Sequence, residues 1–182
     1  MAEVKSFYPV KLICGLIASR EEVFKRAEER LYHLYREIDL QSQLFQFNFT
    51  DYYEKQMGRG LKRKFLSFVE LIKPERLSEI KLETNRLEEE IRKEFKARRR
   101  IVNLDPGYLT SSALIMATAK NFAHRIPLQQ GIYAHLELLF TRKEVKILDW
   151  TYPDFKMRGY QQFFLKAREV YLDQMRAKVF PK

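Results

Sequence analysis

Four side chains between Asn103 and Tyr133 have the types and spacing to do chemistry: Asp105, Lys120, His124 and Arg125. Lysine and arginine hold phosphates and carboxylates, arginine in a bidentate fork. Histidine moves a proton near neutral pH. An aspartate beside them could orient the histidine, accept a proton or hold a cation. The set fits an anion-handling pocket with Asp105 and His124 as the candidate catalytic pair and Lys120 and Arg125 as ligand-binding cations. Tyr53, Glu54 and Tyr133 are the candidate pocket walls. Tyr52, Tyr53 and Glu54, with Tyr152 and Asp154, form a second polar-aromatic set. Aromatics beside cations can stack nucleobases, and they also plug irregular loops. Plain structural roles stand beside these readings. Asp105-Pro106-Gly107 reads as an ordinary turn, and His124-Arg125 can simply serve backbone groups.

The familiar chemical signatures are missing. The sequence has no G-x-x-x-x-G-K-[ST] phosphate loop and no G-x-G-x-x-G; Gly58-Arg59-Gly60 is too short to carry meaning alone. It has no C-x-x-C, no H-E-x-x-H and no nucleophile elbow. His33, His124 and His135 have no recognised ligand spacing, so no metal site is expected, and the cofactor, if any, is unknown.

A formal charge of +10 and a pI near 9.6 permit nucleic acid, anionic lipid or a phosphorylated small molecule as partner, without choosing among them. The single cysteine, Cys14, rules out an intrachain disulfide framework and points to a reducing cytoplasm. Its apolar neighbours make it a buried small hydrophobe rather than a nucleophile. Met1-Ala2-Glu3-Val4-Lys5 does not read as a signal peptide. No apolar run approaches the ~20 residues that a membrane helix needs. The 182 residues suit one α+β domain spanning 1–182, large enough to bury a core without staples.

The elements that must position those side chains follow from periodicity. Val10 to Ala18 is a buried strand. Ser19-Arg20-Glu21-Glu22 is a capping-box pattern and predicts a helix start. Val23, Phe24, Ala27, Leu31, Leu34, Tyr35 and Ile38 form that helix's stripe, with His33 off it. Leu44 to Phe49 alternates as a strand. Thr50 to Gly58 reads as irregular, and Arg59 to Lys64 as a basic run before a second alternating strand, Phe65 to Ile72. Pro74 suits a helix first turn. A long helix then carries Leu77, Ile80, Thr84, Leu87, Ile91 and Phe95 on one face, with i,i+4 pairs Glu88–Arg92 and Glu89–Lys93. Arg98, Arg99 and Arg100 near its end complement the helix dipole. Ile101 to Leu104 is a short strand stopped by Asp105-Pro106-Gly107. Ala113 to Ala117 and Ile126 to Phe140 give further strands. Arg142-Lys143-Glu144 is a turn, and Val145 to Trp150 its hairpin partner. Thr151 to Phe155 is an aromatic loop. Phe163, Phe164, Ala167, Val170, Tyr171 and Met175 mark a closing helix.

This order is β-α-β-β-α-β followed by more strands and a helix. It predicts a ferredoxin-like core extended by antiparallel strands, with the helices on one face. In that topology Arg20, the run Arg59, Lys62, Arg63 and Lys64, and the cluster Arg98, Arg99 and Arg100 share one edge. The Asp105 turn would lie at the opposite edge.

Ordered blocks resemble an uncharacterised bacterial family, domain of unknown function 4416. They are Thr50-Asp51-Tyr52-Tyr53-Glu54 with Met57-Gly58, Asn103 to Tyr108, Lys120 with His124-Arg125-Ile126, Gly131-Ile132-Tyr133-Ala134, and Trp150 to Phe155. Against the family pattern, His135 stands where an acidic residue is expected and Phe155 where a tyrosine is. The resemblance implies that the blocks share one site and brings no mechanism with it. Some members carry a GTP-binding label, which a chain without a phosphate loop does not take on.

The leading expectation is a cytoplasmic protein binding a phosphorylated or anionic small molecule such as a nucleotide. One alternative is an RNA- or DNA-binding module using the basic edge. Another is an interaction scaffold using the Thr151–Phe155 loop or the last helix.

Overall fold

The computed structural model describes residues 3–49, 51–142 and 144–179. Thr50 and Lys143, and the side chains of Asp51 and Tyr52, lie outside what is described, and with them the expected base-stacking role of Tyr52.

The chain forms β1 (Val10–Ala18), α1 (Glu21–Tyr35), β2 (Ile38–Gln41), β3 (Phe45–Gln46) and α2 (Asp51–Met57). It continues through β4 (Lys62–Ile72), α3 (Leu77–Glu94), β5 (Val102–Leu109) and β6 (Ala113–Thr118). Last come β7 (Ile126–Pro127), β8 (Tyr133–Phe140), β9 (Val145–Ile147) and α4 (Arg158–Val179). Short 3-10 turns at Pro74–Arg76 and Pro153–Lys156 precede α3 and α4. The described strands make one antiparallel sheet in the order β2-β4-β1-β5-β6-β8-β7, with β3 on β4 and β9 on β8. No helix among the described residues is long and apolar enough to cross a membrane.

β1 is buried on both faces, which is why its sequence is apolar apart from Lys11. Its even-numbered residues Leu12, Cys14, Leu16 and Ala18 meet the apolar stripes of α1 and α3. On the opposite face Ile13 joins Phe65, Phe155, Tyr160 and Phe164 under α4. Helices therefore cover both faces, not one, because a strand with apolar residues on each side needs two covers. Burial pushes the Cys14 thiol up, in keeping with an inert core residue.

Several local expectations give way to tertiary context. α1 begins with Arg20 at the N-cap and no side-chain cap, so the Ser19 box does not form. Leu34 is exposed, and Ile38 opens β2 instead of extending the helix. The alternating stretch Leu44 to Phe49 supplies only the two-residue strand β3, β2 precedes it, and Asp51–Met57 is helical rather than irregular. β4 takes in Lys62, Arg63 and Lys64. Glu88 turns inward to Arg100 and the Leu104 amide instead of pairing with Arg92, which binds Glu89. Val145 to Trp150 supplies only the short strand β9. Thr151, Asp154 and Phe155 are buried, and α4 uses its apolar face against the sheet. Tyr152 and Pro153 of that aromatic loop stay exposed.

The largest correction concerns Asp105-Pro106-Gly107. β5 runs straight through it, paired with β1 along its whole length. The register of β6 begins at Gly107, so Pro106 has no ladder partner to lose on that side. Gly107 is needed for close approach, since a Cβ there would lie 2.5 Å from the Ile115 carbonyl oxygen. Ala18 pairs with both Lys62 and Val102, so the basic segments do meet at one edge. Asp105, opposite Gly15, lies toward that same edge and contacts Arg63.

Candidate functional site

The sheet opens between β5 and β6. Their register covers only Gly107 to Leu109 against Leu114 to Met116, and the strands part toward Asn103 and Thr118. A cavity of about 520 Å³ fills the gap. Lys81 and Asn85 reach it from α3, Arg63 from β4, Asn103 and Asp105 from β5, and Lys120 from beyond β6. Phe47, Phe49 and Tyr53 make one aromatic flank, Tyr152 and Phe155 another.

Arg63 is the hub, and its side chain is 5% exposed. Nη1 donates to Asp154 at 2.9 Å and Nη2 to Asp105 at 3.2 Å. The guanidinium also faces the rings of Phe65, Phe155 and Phe47 at 4.9, 5.0 and 5.7 Å. Gly15 makes room for it, because a Cβ at that position would stand 2.8 Å from Nη2. Burial pulls Arg63 down, but Asp154 and Asp105 outweigh it and its net shift is upward. Burial raises Asp154 despite Arg63 beside it. One cation shared by two carboxylates cannot fully stabilise both charges.

Asp105 is held from several sides. Its Oδ2 accepts from Arg63 and from the Asn103 amide at 2.6 Å. Arg100 in turn donates to Asn103 and pairs with Glu88 at 2.5 Å. Among the described residues Oδ1 has no hydrogen bond; it lies 3.8 Å from Lys81 Nζ, which donates to the Leu104 carbonyl at 2.7 Å. The Asp105 charge, then burial, pushes the Tyr53 phenol up.

The sequence-expected residues divide. Asp105, Lys120 and Tyr53 line the cavity; His124, Arg125, Glu54 and Tyr133 do not. Among the described residues no hydrogen bond or ion pair joins Asp105 to His124. His124 stacks on Trp150 at 5.1 Å and meets the His135 ring edge-on. Its imidazole is held below the ordinary histidine range, first by burial and then by His135 and Arg125. Arg125 works as a brace: it donates to the Lys120 carbonyl at 2.7 Å, the Tyr152 hydroxyl at 2.6 Å and His135 Nδ1 at 3.3 Å. His135 lines the cavity, with Nε2 2.9 Å from Glu137 Oε2 but not aligned for a hydrogen bond. Of the basic edge, Arg63 is a buried hub, Lys64 pairs with Glu28 at 2.7 Å, and Arg100 with Glu88. Those three side chains are engaged by carboxylates within the protein. Arg59, Arg98 and Arg99 are exposed, and Lys62 is half-buried. No group of three or more His, Cys, Asp or Glu among the described residues is arranged to hold a metal ion.

Lys81 and Asn85 were not singled out by sequence. The available signal was a lysine at helical spacing from Leu77 and Thr84, on the buried stripe of α3. For Arg63 the signal was its shared parity with Phe65 in β4, which turns both to one face.

No curated protein and no solved structure matches the chain. A family model described as a domain of unknown function, DUF4416, matches residues 8–171, and the chain belongs to that family.

Proposed function

We propose that the protein binds an anionic small molecule, such as a phosphorylated metabolite or nucleotide, in the cavity between β5 and β6. The supporting observation is convergence: Arg63, Lys81, Arg100 and Lys120 come from separate segments to one cavity that also holds Asp105 and Asp154. Its volume suits a small ligand. Lys120 is the exposed cation at the mouth and Asp105 the acceptor at the floor. Arg125 positions Tyr152, and no reaction is assigned. The same reading takes the half from β1 to β5, with strand order β2-β4-β1-β5 and helices in both crossovers, as a ferredoxin-like core. A cytoplasmic setting fits the single buried cysteine.

Thermal shift with ribose 5-phosphate, nucleoside monophosphates and short RNA, at low and high salt, tests this. A small phosphate should stabilise the wild type even at high salt, by about 2.7 kcal/mol at 100-fold excess over Kd. Lys120→Ala should lose that response and keep the ligand-free melting temperature. A shift only with RNA, abolished by salt, would instead favour the remaining cations Arg59, Lys62, Arg98 and Arg99 as a nucleic-acid edge.

A further inference from the structure

The inner end of the cavity holds hydrogen-bonding capacity that the protein itself does not use. Lys81 is a charged side chain only 7% exposed. An ammonium has three N–H donors. One goes to the Leu104 carbonyl. The nearest carboxylate oxygen, Asp105 Oδ1, is 3.8 Å away, beyond hydrogen-bond reach. Among the described residues that oxygen accepts no hydrogen bond, while Oδ2 of the same carboxylate is fixed by Arg63 and Asn103. Asn85, one turn along α3 from Lys81, also lines the cavity and makes no side-chain hydrogen bond among the described residues. A rigid acceptor and a buried donor thus stand side by side, each with capacity left over. Both groups face the cavity, where a bound molecule can reach them.

The rest of the cavity limits what can meet them. The aromatic flanks come from two separate segments, and both crowd the Arg63–carboxylate hub: Phe47 and Phe155 lie against the Arg63 guanidinium, and Tyr53 feels the Asp105 charge. Aromatic flanks favour a flat ring, which stacks with little regard to its substituents. A flat ring that also offers a donor to Asp105 and an acceptor to Lys81 must carry the two on adjacent edge atoms.

We infer that the inner end of the cavity recognises a planar nitrogen heterocycle of nucleobase type, whose adjacent donor and acceptor meet Asp105 Oδ1 and Lys81 Nζ. This rests on the proposed anion-binding role, with the ligand's phosphate toward Lys120. Asp105 is placed to read a ring N–H or amino group, and Arg63 and Asn103 hold it in orientation. Asn85 contributes a second, adaptable partner.

Calorimetric titration of the wild-type protein tests it from the ligand side, so no folding defect intrudes. The probes are ribose 5-phosphate, uridine 5′-monophosphate and adenosine 5′-monophosphate. Each nucleotide has a methylated counterpart lacking the edge donor: the 3-methyluridine and N6,N6-dimethyladenosine monophosphates. At least one nucleotide should bind about tenfold or more tighter than ribose 5-phosphate, and its methylated form should lose that gain. Asn85→Ala, which removes no side-chain hydrogen bond among the described residues, should weaken that nucleotide and leave ribose 5-phosphate unchanged. Equal binding of ribose 5-phosphate and both nucleotides, or indifference to methylation, would overturn the heterocycle assignment and leave the anion site standing. No binding of any probe would overturn both.

Discussion

Lys11 and Arg63 are both buried cations on the α4 face of the sheet, and their surroundings differ in one respect. Lys11 is fully buried and matched: Nζ donates to Asp39 at 2.5 Å, to the Phe68 carbonyl at 2.9 Å and to Gln174 of α4 at 3.0 Å. Asp39 also accepts from Ser67. Three donors meet three acceptors. Burial still draws the Lys11 ammonium below the ordinary lysine range, against the opposing pull of Asp39. The Arg63 centre has two carboxylates on one cation, a buried Nε without a partner, and an Asp105 oxygen facing a cavity. The first centre is closed and joins β1, β2, β4 and α4. The second is unbalanced, and its imbalance faces open space. A buried polar cluster is high in cost unless satisfied, so unmatched capacity beside a cavity is a better pointer to a ligand than charge alone.

The contrast can be broken by mutation, and the Arg63 centre should give the larger effect. Arg63→Met strands two carboxylates and should cost ~3–5 kcal/mol in urea denaturation. Lys11→Met should cost less, about 2–3 kcal/mol, because Asp39 keeps Ser67 and is partly exposed. A larger loss at Lys11 than at Arg63 would reverse the ranking of the two centres. Double replacement sharpens the same point. Lys11→Met with Asp39→Leu should recover most of the loss, since an apolar pair can replace a closed ion pair at little cost. Arg63→Met with Asp154→Leu should not recover it, because Asp105 remains.

Asp154→Asn is expected to have the smallest effect, within about 1 kcal/mol, since Arg63 keeps Asp105. Its sign should depend on pH. Burial raises the Asp154 carboxyl, so the folded protein holds that proton more firmly than the unfolded chain does. The associated stability is present below the ordinary aspartate range and is lost as pH rises through the raised value. Asp154→Asn should therefore gain on the wild type as pH climbs from acid to neutral in parallel denaturation curves. A constant difference across that window would show that Asp154 titrates normally.

These centres also mark where sequence reading stops. The helices α1, α3 and α4 and the strand β1 were legible because each presents an apolar stripe or run matched to its period. Lys11 interrupts that apolar run and Arg63 lies in a Lys-Arg-Lys triplet, and both read as surface charge until long-range partners are known. Arg63 meets Asp154 across half of the chain, and Lys11 meets Gln174 across most of it. Asp105-Pro106-Gly107 misleads for a related reason. Its residue types favour a turn, but pairing with β1 over eight registered positions outweighs that local preference. Of the block residues, Asp105, Lys120 and Tyr53 line the cavity, Arg125 bonds Tyr152, which also lines it, and His124 stacks on Trp150.

The short register between β5 and β6 bears on how the molecule opens. β1 matches β4 and β5 over eight positions each, and β6 matches β8 over six, but β5 and β6 share only three. Backbone amides exchange with solvent in cooperative units bounded by weak seams. This seam divides the sheet into two plates, β2-β4-β1-β5 and β6-β8-β7, with the cavity between them and α3 touching both. A molecule seated in that gap would act as a wedge held by both plates, and its imprint would be slowed exchange along the whole seam, including amides it never touches.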